Sequence, residues 1–251
     1  MALLEVRGLS KHFLGVTAVD RVDLTVEPGE LVSLIGPNGS GKTTLFNCVT
    51  GYLGADGGRV TFRGHDLTNA PAHRVARLGV ARTFQQVSVF PRLSALENLL
   101  VFLQQHQEDA LLPRLLRTPR VRRLETQAIE RARGLLDLVG LGGKADLDAG
   151  SLSYGQRKLL AFAGALMSDP DLLLLDEPAA AVNPTMINQM KDHILALHRQ
   201  GKTVLLVEHN MDVVMDISQR VVVLDHGQKI AEGPPGAIRR DRRVIEAYFG
   251  R

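Results

Sequence analysis

Tryptophan is absent, and aromatic residues of all kinds make up only 4% of the 251 residues. So little aromatic surface argues against a stacking platform for single-stranded nucleic acid, and no nucleic-acid partner is expected. Cysteine occurs once, as Cys48. An intrachain disulfide is therefore excluded, and the usage suits a reducing compartment. Cys48 sits in an apolar segment after a glycine-rich loop, where a small buried filler is expected. Long apolar runs are missing too. The longest, such as Leu172–Leu175, fall far short of the ~20 residues that cross a bilayer. The first apolar stretch contains Glu5 and Arg7, unlike a signal peptide. The chain is expected to be soluble by itself, with any membrane role coming through a partner. There is no internal repeat and no low-complexity tract.

Hydrophobic residues at 45% are ample for a buried core, and the net charge is +3. The basic excess clusters in Arg114, Arg117, Arg120, Arg122, Arg123, Arg131 and Arg133, and again in Arg239, Arg240, Arg242 and Arg243. Solvated helix faces are the first reading of these clusters; a membrane-proximal or nucleotide-facing role is the second. Residues 3–26 read as short strands broken by Gly8, Gly15 and Asp20. Strand character recurs at 30–35, 59–63, 172–175, 203–207 and 221–224, with a helix expected at 44–50 and another at 185–199. Residues 94–139 have helical periodicity punctuated by Pro113 and Pro119. The nearly continuous apolar runs at 172–175 and 203–207 suit parallel strands covered on both faces. A parallel α/β core interrupted by a mostly helical insert is the expected architecture.

Two motifs carry chemistry. Gly36, Pro37, Asn38, Gly39, Ser40, Gly41, Lys42 and Thr43 match G-x-x-x-x-G-K-[ST] without a gap. A random chain of this length would match in roughly one case in a hundred, and here a strand precedes the match and a helix, opening near Thr44, follows it. Glycines let the backbone curl so that N–H groups point inward, and the helix adds its positive end. Lys42 would bring a point charge to the β- and γ-phosphates, and the Thr43 hydroxyl could ligate Mg²⁺. The second motif is the apolar run 172–175 ending in Asp176 and Glu177. A buried parallel strand places such carboxylates at the ligand crevice. Asp176 would hold Mg²⁺ through water, and Glu177 would polarise the attacking water.

Between these motifs lies Leu152-Ser153-Tyr154-Gly155-Gln156, and beyond them His209. The order of phosphate loop, Gln85, this segment, Asp176-Glu177 and His209 resembles that of the ATP-binding-cassette ATPases over essentially the whole chain. The resemblance implies a P-loop NTPase (RecA-like) fold, with a parallel-sheet core, an N-terminal antiparallel β subdomain and a helical subdomain insert. It implies one domain over 1–251, with 1–84 and 166–251 as catalytic core and 85–165 as the helical signature subdomain. ATP and Mg²⁺ are the implied cofactors. Gln85 resembles the glutamine that contacts Mg²⁺ and water, with Gln86 as the neighbouring candidate. His209 resembles the switch histidine that contacts the γ-phosphate. Phe13 resembles the aromatic residue that stacks on adenine, and is read equally as a packed strand residue. Ser153, Gly155 and Gln156 would face phosphates bound by an opposing cassette, in a homo- or heterodimer.

Two departures narrow the resemblance. Tyr154 stands where glycine is commoner, and Asn183 stands where most members have Asp in the loop that crosses the dimer interface. Cross-talk between sites is expected to be altered rather than abolished. These departures, with Ala81-Arg82-Thr83-Phe84-Gln85, Val207-Glu208-His209-Asn210-Met211, the ending Val244-Ile245-Glu246-Ala247-Tyr248-Phe249-Gly250 and an insertion over 103–124, resemble the ATPases of branched-chain amino acid importers. That implies integral-membrane permease partners, an extracytoplasmic substrate-binding protein, and a place on the cytoplasmic face of the inner membrane. A lipopolysaccharide-export ATPase is the second transport reading. A soluble non-transport cassette, in repair, translation or iron–sulfur assembly, is the reading from another class.

Overall fold

The computed structural model of the chain describes residues 2–85, 88–104 and 119–249. Gln86, Arg114, Arg117, Gly250 and most of the 103–124 stretch lie outside them. Tertiary contacts divide the chain into two compact units, residues 1–85 with 171–251, and residues 86–170.

The first unit holds two sheets. In one, β1 (Leu4–Phe13) is antiparallel to β2 (Val16–Val26) on one side and to β4 (Gly57–Phe62) on the other, with β5 (His65–Asp66) beyond β4. Alternation sets the buried face, since Leu4, Val6 and Leu9 of β1 are buried beside Val22, Leu24, Val60 and Phe62. The structure departs here from the short strands expected over residues 3–26. Only Gly15 interrupts the chain, while Gly8 and Asp20 lie inside long strands. The ladder absorbs Gly8 as a bulge: Val6 pairs with Leu24 and Leu9 with Val22, so β1 carries an extra residue.

The other sheet has the order β10-β9-β3-β8-β7-β6. Strands β3 (Leu31–Ile35), β6 (Val80–Arg82), β7 (Leu172–Asp176), β8 (Thr203–Val207) and β9 (Arg220–Asp225) run parallel. The hairpin partner β10 (Gln228–Gly233) is antiparallel to β9. Every residue of β3, β7 and β8 is buried, which is why their sequences show no alternation. Parallel direction brings the C-terminal tips of five strands to one edge. Those tips lead into Gly36, Arg82-Thr83, Asp176-Glu177, Glu208-His209 and Asp225-His226. Helix α1 (Lys42–Val49) follows β3 and buries Leu45, Phe46 and Val49 in the core that also takes residues from both sheets.

The second unit is helical among the described residues, apart from an isolated bridge between Ser94 and Asp148. Its three longer helices are Ala95–Gln104, Pro119–Leu138 and Tyr154–Ala165. Reciprocal side-chain caps start the first and third: Ser94 with Glu97, and Ser153 with Gln156. Asn98 is fully buried, with its amide bonded to Phe90, Leu93 and Ser94 backbone groups. Arg131 departs from the solvated-face reading of its cluster. Its guanidinium donates to the carbonyls of Leu166 and Met167 at 2.7 and 2.9 Å, capping the end of the third helix. Among the described residues, no helix is long and apolar enough to cross a membrane.

Candidate functional site

The phosphate loop is built by steric necessity. Gly36 has φ +151°, and a Cβ there would lie 2.0 Å from the Leu224 carbonyl oxygen and 2.6 Å from Ser40 Oγ. At Gly41, with φ +99°, a Cβ would lie 2.2 Å from the Ala18 carbonyl oxygen. Gly36 and Gly41 thus let β9 and β2 close against the loop from outside. Lys42 is buried, and its ammonium donates to the carbonyls of Gly36 at 2.8 Å and Pro37 at 2.9 Å. Burial pushes its pKa below the usual lysine range, opposed by the Glu177 and Asp176 carboxylates. Thr43 is exposed at the helix start, Thr44 is half-buried, and Asn38 and Gly39 are exposed.

Gly36→Ala is expected to destabilise the chain by roughly 1–3 kcal/mol through overpacking and to weaken Mg-ATP binding more than tenfold. Gly39→Ala is the comparison: its φ of +80° imposes backbone strain on alanine as well, but a Cβ there meets nothing within 4 Å, so the difference between the two variants isolates the clash. Equal nucleotide affinities in the two variants, measured by titration calorimetry, would contradict the steric account.

The carboxylates lie at the tip of β7. Asp176 is buried, and its Oδ2 accepts a bond from Arg82 at 2.9 Å. Glu177 follows with φ +50°, a backbone region that non-glycine residues rarely adopt and that concentrates at functional sites. Its N–H donates to the Val207 carbonyl at 2.9 Å, which fixes the turn against β8. The Glu177 side chain is held from two sides. Gln85 Nε2 donates to Oε2 at 2.8 Å, and His209 Nε2 meets Oε1 at 2.6 Å. A carboxylate can only accept, so this contact requires the imidazole proton on Nε2. Gln85, Glu177 and His209, distant in sequence, therefore meet in one array.

Two participants were not singled out from sequence. Arg82, at the end of β6, has its side chain only 6% exposed, against 5% for Asp176. Its other terminal nitrogen, Nη1, donates to Asn47 Oδ1 at 2.7 Å and Thr50 Oγ1 at 2.9 Å. The guanidinium lies over the rings of Phe46, Tyr52 and Phe84 at 5.1 to 5.7 Å. Glu208 is 2% exposed. Oε1 accepts from Ala179 N at 2.7 Å, and Oε2 accepts from the N–H groups of His209 and Asn210 at 3.0 and 3.2 Å. Burial pushes its carboxyl above the usual range while those three donors pull the other way. A charged residue directly after an apolar run was the signal available for both.

Phe13 ends β1 with 42% exposure, so it is not packed into the sheet core; Lys11 Nζ lies 5.5 Å from its ring centre. Ser153 is the N-cap of its helix, with Gly155 and Gln156 in the first turn and the Tyr154 ring exposed beside Lys158. Asn183 caps the helix Pro184–Arg199, its side chain accepting from Met186 N at 2.9 Å. Among the described residues, no group of three or more His, Cys, Asp and Glu is placed to hold a metal. The set expected from sequence is of another kind. Thr43, Gln85 and Asp176 offer a hydroxyl, an amide and one carboxylate, all oxygen donors, which suits a Mg²⁺ ion that retains water.

A parallel sheet with a phosphate loop after one strand and paired acids after another defines a P-loop NTPase fold. A family model described as ABC transporter matches residues 19–180, and one described as branched-chain amino acid ATP-binding cassette transporter matches residues 228–251. The high-affinity branched-chain amino acid transport ATP-binding protein BraF of Pseudomonas aeruginosa is 45% identical, over 99% of this chain and 98% of its own. LivG of Escherichia coli, described in the same words, is 43% identical with the same coverage. A crystal structure of the ADP conformation of an ATP-binding cassette of an ABC transporter superposes with a TM-score of 0.87 at 35% identity, covering both chains fully. The chain belongs to the ABC transporter family, as one of its ATP-binding cassettes.

Proposed function

We propose that this cassette is the ATP-hydrolysing subunit of an importer of branched-chain or related amino acids. The observation that carries the reading is the Glu177 carboxylate, held by Gln85 and His209 at the sheet edge where the phosphate loop also emerges. The relatives named above favour amino-acid import over lipopolysaccharide export.

In this reading the loop amides and Lys42 hold the triphosphate, with Thr43, Gln85 and Asp176 holding Mg²⁺. When bound, that ion would neutralise charge on the phosphate oxygens. Glu177 takes a proton from the attacking water. Each of its oxygens has acceptor capacity left for that water, and His209 turns to the γ-phosphate. Phe13, half exposed on its hairpin, stacks on adenine. Residues 85–165 form the helical signature subdomain, a reading supported by the compact helical unit over 86–170. Ser153, Gly155 and Gln156, at a helix N-terminus whose dipole favours anions, close the site of a second cassette. Tyr154 and Asn183 modify how the two sites communicate. The subunit sits peripherally on the cytoplasmic face of the membrane, against permease subunits served by an extracytoplasmic binding protein.

Affinity purification of the full chain from membranes is the test. Polytopic membrane proteins should accompany it, and purified material should hydrolyse Mg-ATP. Recovery without any membrane protein, from cells expressing the neighbouring genes, would leave the transport assignment without support.

A further inference from the structure

We infer that Glu208 is a positioning residue for the Glu177–His209 pair, a buried strap between the turn after β7 and the turn after β8. The two turns carry the two side chains that meet at 2.6 Å. One strap end is Oε1 on the Ala179 amide, two residues past Glu177. The other is Oε2 on the amides of His209 and Asn210. Asn210 in turn caps the helix Met211–Ile217 through its own side chain, which accepts from Asp212 and Val213. The strap is thus anchored at both ends in ordered backbone. Nothing in the chemistry assigned to the site uses this carboxylate, although it is almost fully buried.

The partners are all N–H donors, so the side chain must present acceptors in both directions. Glutamine has the same shape but turns one acceptor into an NH₂ group facing an N–H at hydrogen-bond distance. Aspartate keeps both acceptors and loses reach by one methylene. A strap made by acceptor chemistry therefore ranks Asp above Gln; a side chain that merely fills space ranks Gln above Asp.

This inference rests on the ATPase reading, and the experiment separates the two. Glu208→Gln and Glu208→Asp are compared with wild type in the full-length chain by steady-state Mg-ATP hydrolysis and by amide hydrogen exchange. Glu208→Gln should lower kcat about 10- to 100-fold with KM for ATP within threefold, because the phosphate loop is untouched. Exchange at Ala179, His209 and Asn210 should accelerate at least tenfold while residues 46–49 of helix α1 keep their protection. Glu208→Asp should retain more turnover than Glu208→Gln, and exchange at Ala179 should still accelerate. If Glu208→Gln does not fold, Glu208→Asp decides alone: wild-type exchange at Ala179 together with wild-type kcat overturns the strap. So does a Gln variant equal to wild type or better than Asp. An inactive wild type would refute the ATPase reading, while the exchange pattern would still decide the role of Glu208.

Discussion

Glu177→Gln is expected to bind Mg-ATP within about threefold of wild type while its turnover falls 10²- to 10⁴-fold, the range of general-base catalysis. The substitution is isosteric. The new amide oxygen can accept from Gln85 Nε2, and the imidazole of His209 can take the other tautomer and accept from the new NH₂, so the geometry around 2.6 and 2.8 Å survives and the Gln85 oxygen stays available to the metal. What disappears is basicity. The groups proposed to hold the triphosphate, the loop amides and Lys42, do not touch the exchanged atom. Loss of one carboxylate also removes an anion that would repel the γ-phosphate. Equilibrium binding and single-turnover hydrolysis on the same material measure both quantities. Hydrolysis within tenfold of wild type would take Glu177 out of the role given to it.

Arg82→Met should cost about 3–5 kcal/mol, the scale on which removal of one member strands a buried charge. Asp176 and Arg82 are 5% and 6% exposed, so water cannot replace the guanidinium. Asn47 and Thr50 lose their donor with it, and the rings of Phe46, Tyr52 and Phe84 lose the cation they surround. For a chain of this size the loss corresponds to a fall of roughly 6–20 °C in the thermal midpoint. Asp176→Asn placed on top of Arg82→Met should recover part of it, because residues in direct contact do not add. A shift under 2 °C for Arg82→Met, or strict additivity in the double variant, would show that the pair is not coupled as its geometry implies.

How much of this could be read from the sequence depended on how local the cause was. The phosphate loop was legible because backbone sterics at Gly36 and Gly41 dictate the residue type at each point. Strands β7 and β8 were legible because burial on both faces leaves an apolar run. The first hairpin was misread: Gly8 and Asp20 look like breaks, yet an antiparallel partner on each side of β1 absorbs the irregularity at Gly8 as a bulge. Strand β6 has only three residues and exists through its pairing with β7, where Val80 meets Leu172, 92 positions away in sequence. Strand β10, with the polar sequence QKIAEG, is specified by a tight turn at His226 and Gly227, both at positive φ. Arg82 and Glu208 carried no sign of their burial. A charge after an apolar run reads as a strand reaching solvent, and only the parallel sheet places these two beneath other residues.

The placement of β8 has a consequence for how the molecule comes into being. It lies between β3 and β7, so the tip bearing Lys42 and the tip bearing Asp176 have no ladder connecting them until residues 203–207 are inserted. A nascent chain released as far as Glu177 already contains the whole phosphate loop and both acids. It lacks the strand that sets their separation, and Glu208 and His209 follow that strand. The loop and the paired acids therefore become neighbours only when residues 203–207 have paired with both strands, so the two motifs make a single site only in the completed sheet.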